Sequence, residues 1–370
     1  MHSSNNDAGN NHTITFFLRT TIMPRSTLVL LTATLVVSVL SLFAGAGDMT
    51  PGALLAGDAA HVGLFLDSRL PRLLAVLCTG AGMSIAGLIM QQLCANKFVS
   101  PTTGATIQLA QLGILLALLF MPASTIWDRA LFAFAAAMAG TWLFVAFVLR
   151  MQAKDVMLVP LIGIMFGNVV LGVTGFLAHR FDMTQAMASW SVGHFSMVMQ
   201  GRYELVWLAV PLIALAFVFA RHFNIVGMGR DFSRGLGLSY ERILFMGLSI
   251  AAMITAAVVT VVGSISYIGL IVPNLVSLFK GDDLRGTLPD TALAGALFVL
   301  LCDLAARTVV APFELPIELI VGIVGSAVFI ALILHRLRCG RRALTLANVK
   351  SLFTFTFTFT STSASTPGAR

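Results

Sequence analysis

The chain is 370 residues long, 58% hydrophobic and only 11% charged, with a mean hydropathy of +0.92 and a net charge of +7. A water-soluble domain does not keep so much apolar surface dispersed, so soluble enzymes are excluded and a polytopic membrane protein is implied. The pI of 9.7 comes from Lys and Arg scattered between apolar runs rather than gathered in a patch, so no nucleic-acid partner is expected.

Residues 1–24 are polar and lack the apolar core and small-residue cleavage site of a signal peptide, so they are read as a disordered extension. Met23, directly before the first apolar run, is a second candidate start. A hydrocarbon layer about 30 Å thick takes roughly 20 helical residues, and the charge-free gaps supply runs of that order at 26–47, 73–96, 98–127, 130–149, 156–178 and 205–220. The gap from 243 to 279 is too long for one span and is divided near Gly263-Ser264-Ile265-Ser266; runs at 291–310 and 319–334 bring the total to ten. An all-α membrane protein of about ten transmembrane helices is therefore expected, with both termini on one side. Placing the termini in the cytoplasm puts 17 of the 23 Lys and Arg inside and 6 outside, as the positive-inside rule requires. Residues 25–337 form the membrane domain. The tail 338–370 is basic and then Phe/Thr-rich, ending in an alternating Phe353–Thr360 stretch expected to be disordered.

Arg72 precedes Asn96 and Pro101 across one long apolar run, and Arg242 precedes Ser266 and Pro273 across another. The two arginines fall on opposite sides of the membrane, which points to an inverted internal repeat of the kind transporters use. No GxxxxGK[ST] phosphate loop occurs, so the chain does not hold ATP in that way. Asp303 and Arg307 are the charges found inside a span, and their i, i+4 spacing lets them pair on one helix face. The scarcity of mid-membrane carboxylates disfavours the alternative of an ion-gradient-driven carrier. Cys78, Cys94, Cys302 and Cys339 make no CxxC pair and the histidines are dispersed, so neither a disulfide nor a metal site is expected.

Six ordered segments carry a specific resemblance: Arg69-Leu70-Pro71-Arg72, the Asn96–Gly104 loop, Gly235-Leu236-Gly237-Leu238 before Arg242, Gly269-Leu270-Ile271-Val272-Pro273, Asp303–Thr308 and Glu314-Leu315-Pro316. From about Thr27 to Leu337 the chain resembles the FecCD family, the permease subunits of binding-protein-dependent ABC importers for iron siderophores, haem and vitamin B12. The 97–104 and 193–204 segments look most like the ferric siderophore branch, with haem or cobalamin as the alternative substrates. His194 and Glu318 depart from the smaller or neutral residues commoner in the family.

The resemblance implies a bacterial inner-membrane, multi-pass subunit without catalytic residues or a bound cofactor, since ATP and Mg would sit on a partner. Its partners would be a cytoplasmic ABC ATPase dimer, a substrate-binding protein, a second permease (the same chain or a relative) and the iron-siderophore substrate. Arg69, Arg72 and Arg307 would dock the binding protein. Arg69 and Arg72, three apart at a helix start, are expected on one face toward the aqueous side. Arg230, Phe232, Arg234, Gly235, Leu236, Gly237, Leu238 and Arg242 would couple to the ATPase, with Phe232, Leu236 and Leu238 as apolar contacts. Trp190, Gly193, Phe195, Met197 and Met199 would line the pathway or its gate.

Overall fold

The computed structural model describes residues 25–44, 59–151, 158–201, 203–311 and 313–334. The extension 1–24 with Met23, and the tail 338–370, lie outside them. The described residues up to Ile323 form one compact unit; from Val324 onward a second unit begins, of which the end of the last helix is described. Every regular element among the described residues is helical: α1 (Arg25–Phe43), α2 (Ala59–Leu93, with a π-helical turn at Phe65–Arg69), α3 (Thr106–Phe120), α4 (Ile126–Met151), α5 (Leu158–Arg180) and α6 (Thr184–Ser191). After a 3₁₀ turn at Glu204–Leu208 follow α7 (Ala209–Gly227), α8 (Arg230–Gly235), α9 (Tyr240–Val262), α10 (Ile268–Lys280) and α11 (Leu284–Thr308). The last, α12, is Ile317–Leu334.

Eight of these helices are long and apolar enough to cross a membrane, and α3 and α10 are shorter apolar helices. At 1.5 Å per residue α3 and α10 reach only about 22 and 20 Å, short of the hydrocarbon thickness. The expected run at 98–127 therefore shrinks to a helix that begins eight residues late. The cause is local: Asn96 Oδ1 accepts from Phe98 N–H at 2.9 Å, Thr103 Oγ1 accepts from Ser100 N–H at 2.8 Å, and the Ser100 and Thr102 hydroxyls pair at 2.7 Å. These side chains satisfy the loop's polar groups, so the backbone need not be helical there.

Helix α2 packs against α11, α9, α10 and α7 and is the most enclosed of the long helices, with α9 next. Lipid offers apolar side chains no reason to leave it, so close helix contact depends on small residues and buried polar pairs. A Cβ on Gly80 would fall on the Gly295 carbonyl of α11, and one on Gly87 would fall on Gly269 at the start of α10. The four buried positions of α1 are Thr27, Thr34, Ser38 and Ser41, all small and polar, and α1 lies against α11.

Two segments share one backbone course. α2 ends in an irregular stretch closed by left-handed Ala105 (φ +61°), from which α3 starts; α9 ends in one closed by left-handed Tyr267 (φ +69°), from which α10 starts. Arg72 of α2 meets Asp303 near the C-terminal end of α11, whereas Lys97 beyond the other end of α2 pairs at 2.6 Å with Asp282 just before α11. The two helices are thus antiparallel, and they define an arginine end and an opposite end of the packed helices.

Candidate functional site

At the arginine end, α2 does not begin at Arg69 but continues back through the π-helical turn, which redirects the side chains there. Arg69 is consequently 9% exposed, and its guanidinium donates to the Ala44 carbonyl after α1. Arg307, 5% exposed, donates to the carbonyls of Ser41 and Ala44 at 3.3 and 3.0 Å and lies 2.9 Å from Asp303, as the i, i+4 spacing anticipates. Arg72 is divided between Asp303, at 2.9 Å through Nη2, and Glu314, whose two carboxylate oxygens are 2.8 and 2.9 Å from Nη1. The expectation that Arg69 and Arg72 present one open basic face is corrected: Arg69 and Arg307 are buried, and Arg72 is engaged on both sides.

Beside this cluster a cavity of about 410 Å³ is bounded by Arg72, Val192, His194, Asp303, Glu314 and Pro316, among others. A larger one, about 660 Å³, is lined by Trp190, His194, Met197 and Arg129, so His194 stands between the two. Of the expected pathway residues, Trp190 and Met197 face the larger cavity, and the Arg129 guanidinium lies 5.5 Å from the Trp190 ring centre. Met199 is exposed. Phe195 is 2% exposed and packs in the core with Val198, while also contributing to the wall of the smaller, 410 Å³ cavity. Gly193 is buried at a junction of three segments: a Cβ there would strike the Ser264 carbonyl, its own carbonyl accepts from Glu318 N–H at 3.4 Å, and the neighbouring His194 N–H donates to Val262 at 3.0 Å. The Ser266 hydroxyl donates to the Glu318 carboxylate at 3.3 Å.

At the opposite end, α8 is a single short helix closed by a left-handed Gly237 (φ +76°). Gly237 N–H donates to Arg234 O at 2.9 Å and Leu238 N–H to Ser233 O at 3.0 Å, the Schellman pattern that terminates a helix and turns the chain. Arg230 and Arg234, one turn apart, both reach Glu241 Oε1, at 2.6 and 2.8 Å, so α9 holds α8 by one carboxylate. Phe232, Leu236 and Arg242 are exposed. Leu238 departs from expectation: it packs inward against the core rather than outward. Gly235 is helical and without positive φ.

The expected run at 291–310 begins one residue past Asp290 and so leaves that charge outside the helix. Asp290 instead sits in the second turn of α11, 2% exposed: it pairs with Lys280 at the end of α10 and accepts from Thr27 and, at 3.3 Å, Ser26 of α1. Together with Arg307 on Ser41 and Ala44, this ties α1 to α11 at both ends. Glu241 and the Arg72 partnership of Glu314 were likewise hidden, because each rests on a contact the linear spacing does not contain.

A family model, the FecCD transport family, matches residues 33–335. The chain belongs to the FecCD transport family. This FecCD protein is an integral membrane protein of the permease kind. It is 43% identical to the petrobactin import system permease protein YclN of Bacillus subtilis over 82% of this chain and 96% of that one. It is 38% identical to the ferric-anguibactin transport system permease protein FatD of Vibrio anguillarum over 72% and 85% of the respective chains. Its fold is similar to that of a metal-chelate type ABC transporter solved in an inward-facing conformation, with a TM-score of 0.71 at 21% identity, covering 84% of this chain and 98% of that one.

Proposed function

We propose that this FecCD protein is the permease subunit of a bacterial inner-membrane ABC importer that passes a ferric siderophore from a binding protein to the cytoplasm. The observation that carries this reading is the 43% identity to a petrobactin permease over 96% of its length. Ten membrane helices, α1–α5, α7 and α9–α12, would place both termini and α8 in the cytoplasm and the arginine end outside. α2 and α9 also run antiparallel, Leu93 lying against Gly247 and Gly82 against Ile254, so the left-handed entries to α3 and α10 that follow them support an inverted repeat.

In this reading the chain performs no bond chemistry. Two permeases, identical or related, would rock about their interface as an ATPase dimer binds and hydrolyses ATP. The exposed Phe232, Leu236 and Arg242 would seat in the ATPase, with Glu241 holding α8 at its angle through Arg230 and Arg234. Trp190 and Met197 would border the passage.

Uptake of ferric petrobactin and haem labelled with radioactive iron, and of cobalamin labelled with radioactive cobalt, by a strain lacking this chain and by the same strain complemented with it, tests the substrate. Complementation should restore ferric siderophore uptake alone. Restoration of haem or cobalamin uptake without iron siderophore would overturn the siderophore assignment.

A further inference from the structure

Resting on the reading of this chain as a binding-protein-dependent permease, we propose that Glu314 is a built-in stand-in for an acidic side chain of the binding protein. It occupies the face of Arg72 that a partner can reach, and docking exchanges one carboxylate for the other.

The geometry leaves little choice of site. Arg69 and Arg307 are turned inward onto backbone carbonyls and Asp303. Among the described residues, Arg72 alone of the three has a partner open to solvent: its Nε and Nη2 are held by Asp303, whose side chain is 1% exposed, whereas its Nη1 is held by Glu314, 32% exposed and on the wall of the 410 Å³ cavity. Asp303 is also gripped by Arg307 and is not exchangeable from outside. An incoming carboxylate therefore meets Arg72 where Glu314 now sits. Charge favours the same outcome: among the described residues three guanidinium groups face two carboxylates, and withdrawing Glu314 leaves a surplus that another anion, not a neutral group, offsets.

Exchange has a consequence inside the protein. Glu314 begins the segment leading into α12, four residues before Glu318, which bonds Gly193 through its N–H and Ser266 through its carboxylate. Leu315 N–H, between them, is fixed to Ala306 of α11 at 3.0 Å. Freeing Glu314 thus loosens one anchor of the segment that holds the Gly193 junction, whose neighbours Val192 and His194 line the same cavity. Docking is in this way connected to the loop beside α6 without a contact from the binding protein to that loop.

The test uses the complete transporter in nanodiscs with its ATPase and its own binding protein. The Kd of the binding protein at low and physiological salt, and the concentration giving half-maximal stimulation of ATP hydrolysis, are measured for the wild type, E314Q, R72Q and the double variant. E314Q should tighten docking about three- to tenfold, the size expected from removing a competing, partly exposed ion pair. R72Q should weaken docking, and the double variant should follow R72Q because without Arg72 nothing remains to exchange. If R72Q weakens docking and E314Q does not tighten it, the arginine docks without exchange and the proposal falls while the docking role stands. If R72Q has no effect, the docking role falls and the exchange with it. Should E314Q fail to assemble, E314D, which draws the carboxylate back by one methylene, should give a smaller gain in the same direction; an unchanged Kd in E314D would overturn the exchange.

Discussion

Asp303 shows how one buried carboxylate organises an end of the protein. It is 1% exposed and serves Arg72 and Arg307 at 2.9 Å each, so it offsets the desolvation of two guanidinium groups at once. Asp303→Ala should cost about 3–5 kcal/mol, because it leaves buried positive charge uncompensated. Thermal unfolding in detergent measures this, and a midpoint equal to wild type would show that the arginines are satisfied without it. At the other end the two glycines separate. Gly237→Val places a β-branched residue at φ +76° and should cost about 1–2 kcal/mol locally, lowering transport and stimulated ATP hydrolysis together. Gly235→Ala, at a helical position with open space around its Cβ, should leave both near wild type. Equal losses in the two variants would place the effect in contacts rather than in backbone shape.

Among the elements, α2 depends on absent side chains. The approach of its Gly87 to Gly269 and of its Gly80 to Gly295 leaves no room for a Cβ, whereas Gly175 on α5 has nothing within 4 Å. Gly87→Leu should therefore destabilise by at least about 1–3 kcal/mol through overpacking, and Gly175→Leu should be neutral. Detergent stability of the two variants decides between a packed α2–α10 seam and a lipid-filled one; equal stability would refute the seam. Helix α1 works differently. Its buried positions are hydroxyl-bearing, and Asp290 and Arg307 of α11 hold its two ends. Much of this level was legible beforehand: each long helix overlaps one of the expected runs, and Asp303 pairs with Arg307 as their spacing suggested. The start of α3 was not, because a hydroxyl-bonded loop from Asn96 to Ala105 is as free of charge as a span once Lys97 is passed.

For the molecule as a whole, the proposed energy source is separable by experiment. Ferric siderophore uptake should require the ATPase and ATP, and should persist when the proton gradient is collapsed with ATP maintained. Transport by this chain alone in liposomes under an ion gradient would instead assign the work to a secondary carrier. Asp290 and Asp303 bear on this distinction: both are buried within α11, but each is bound to a basic partner, Lys280 or Arg72 and Arg307. A carboxylate that carries a coupling ion must release it, and these are held in standing ion pairs.

The amino-acid sequence by itself determined the membrane class, the places where apolar runs begin and end, the helical content and the family resemblance, because transfer of a residue into lipid is a local property summed along the chain. Which side chains meet was a different matter. Arg72 and Glu314 are 242 positions apart, and Thr27 and Asp290 are 263 apart. Their pairing follows from which helices are neighbours. Tertiary structure alone decided that Arg69 and Arg307 face inward, that Leu238 packs against the core and Phe195 is part of it, and that Arg72 already holds a carboxylate, since a buried charge finds its partner through packing and not through spacing.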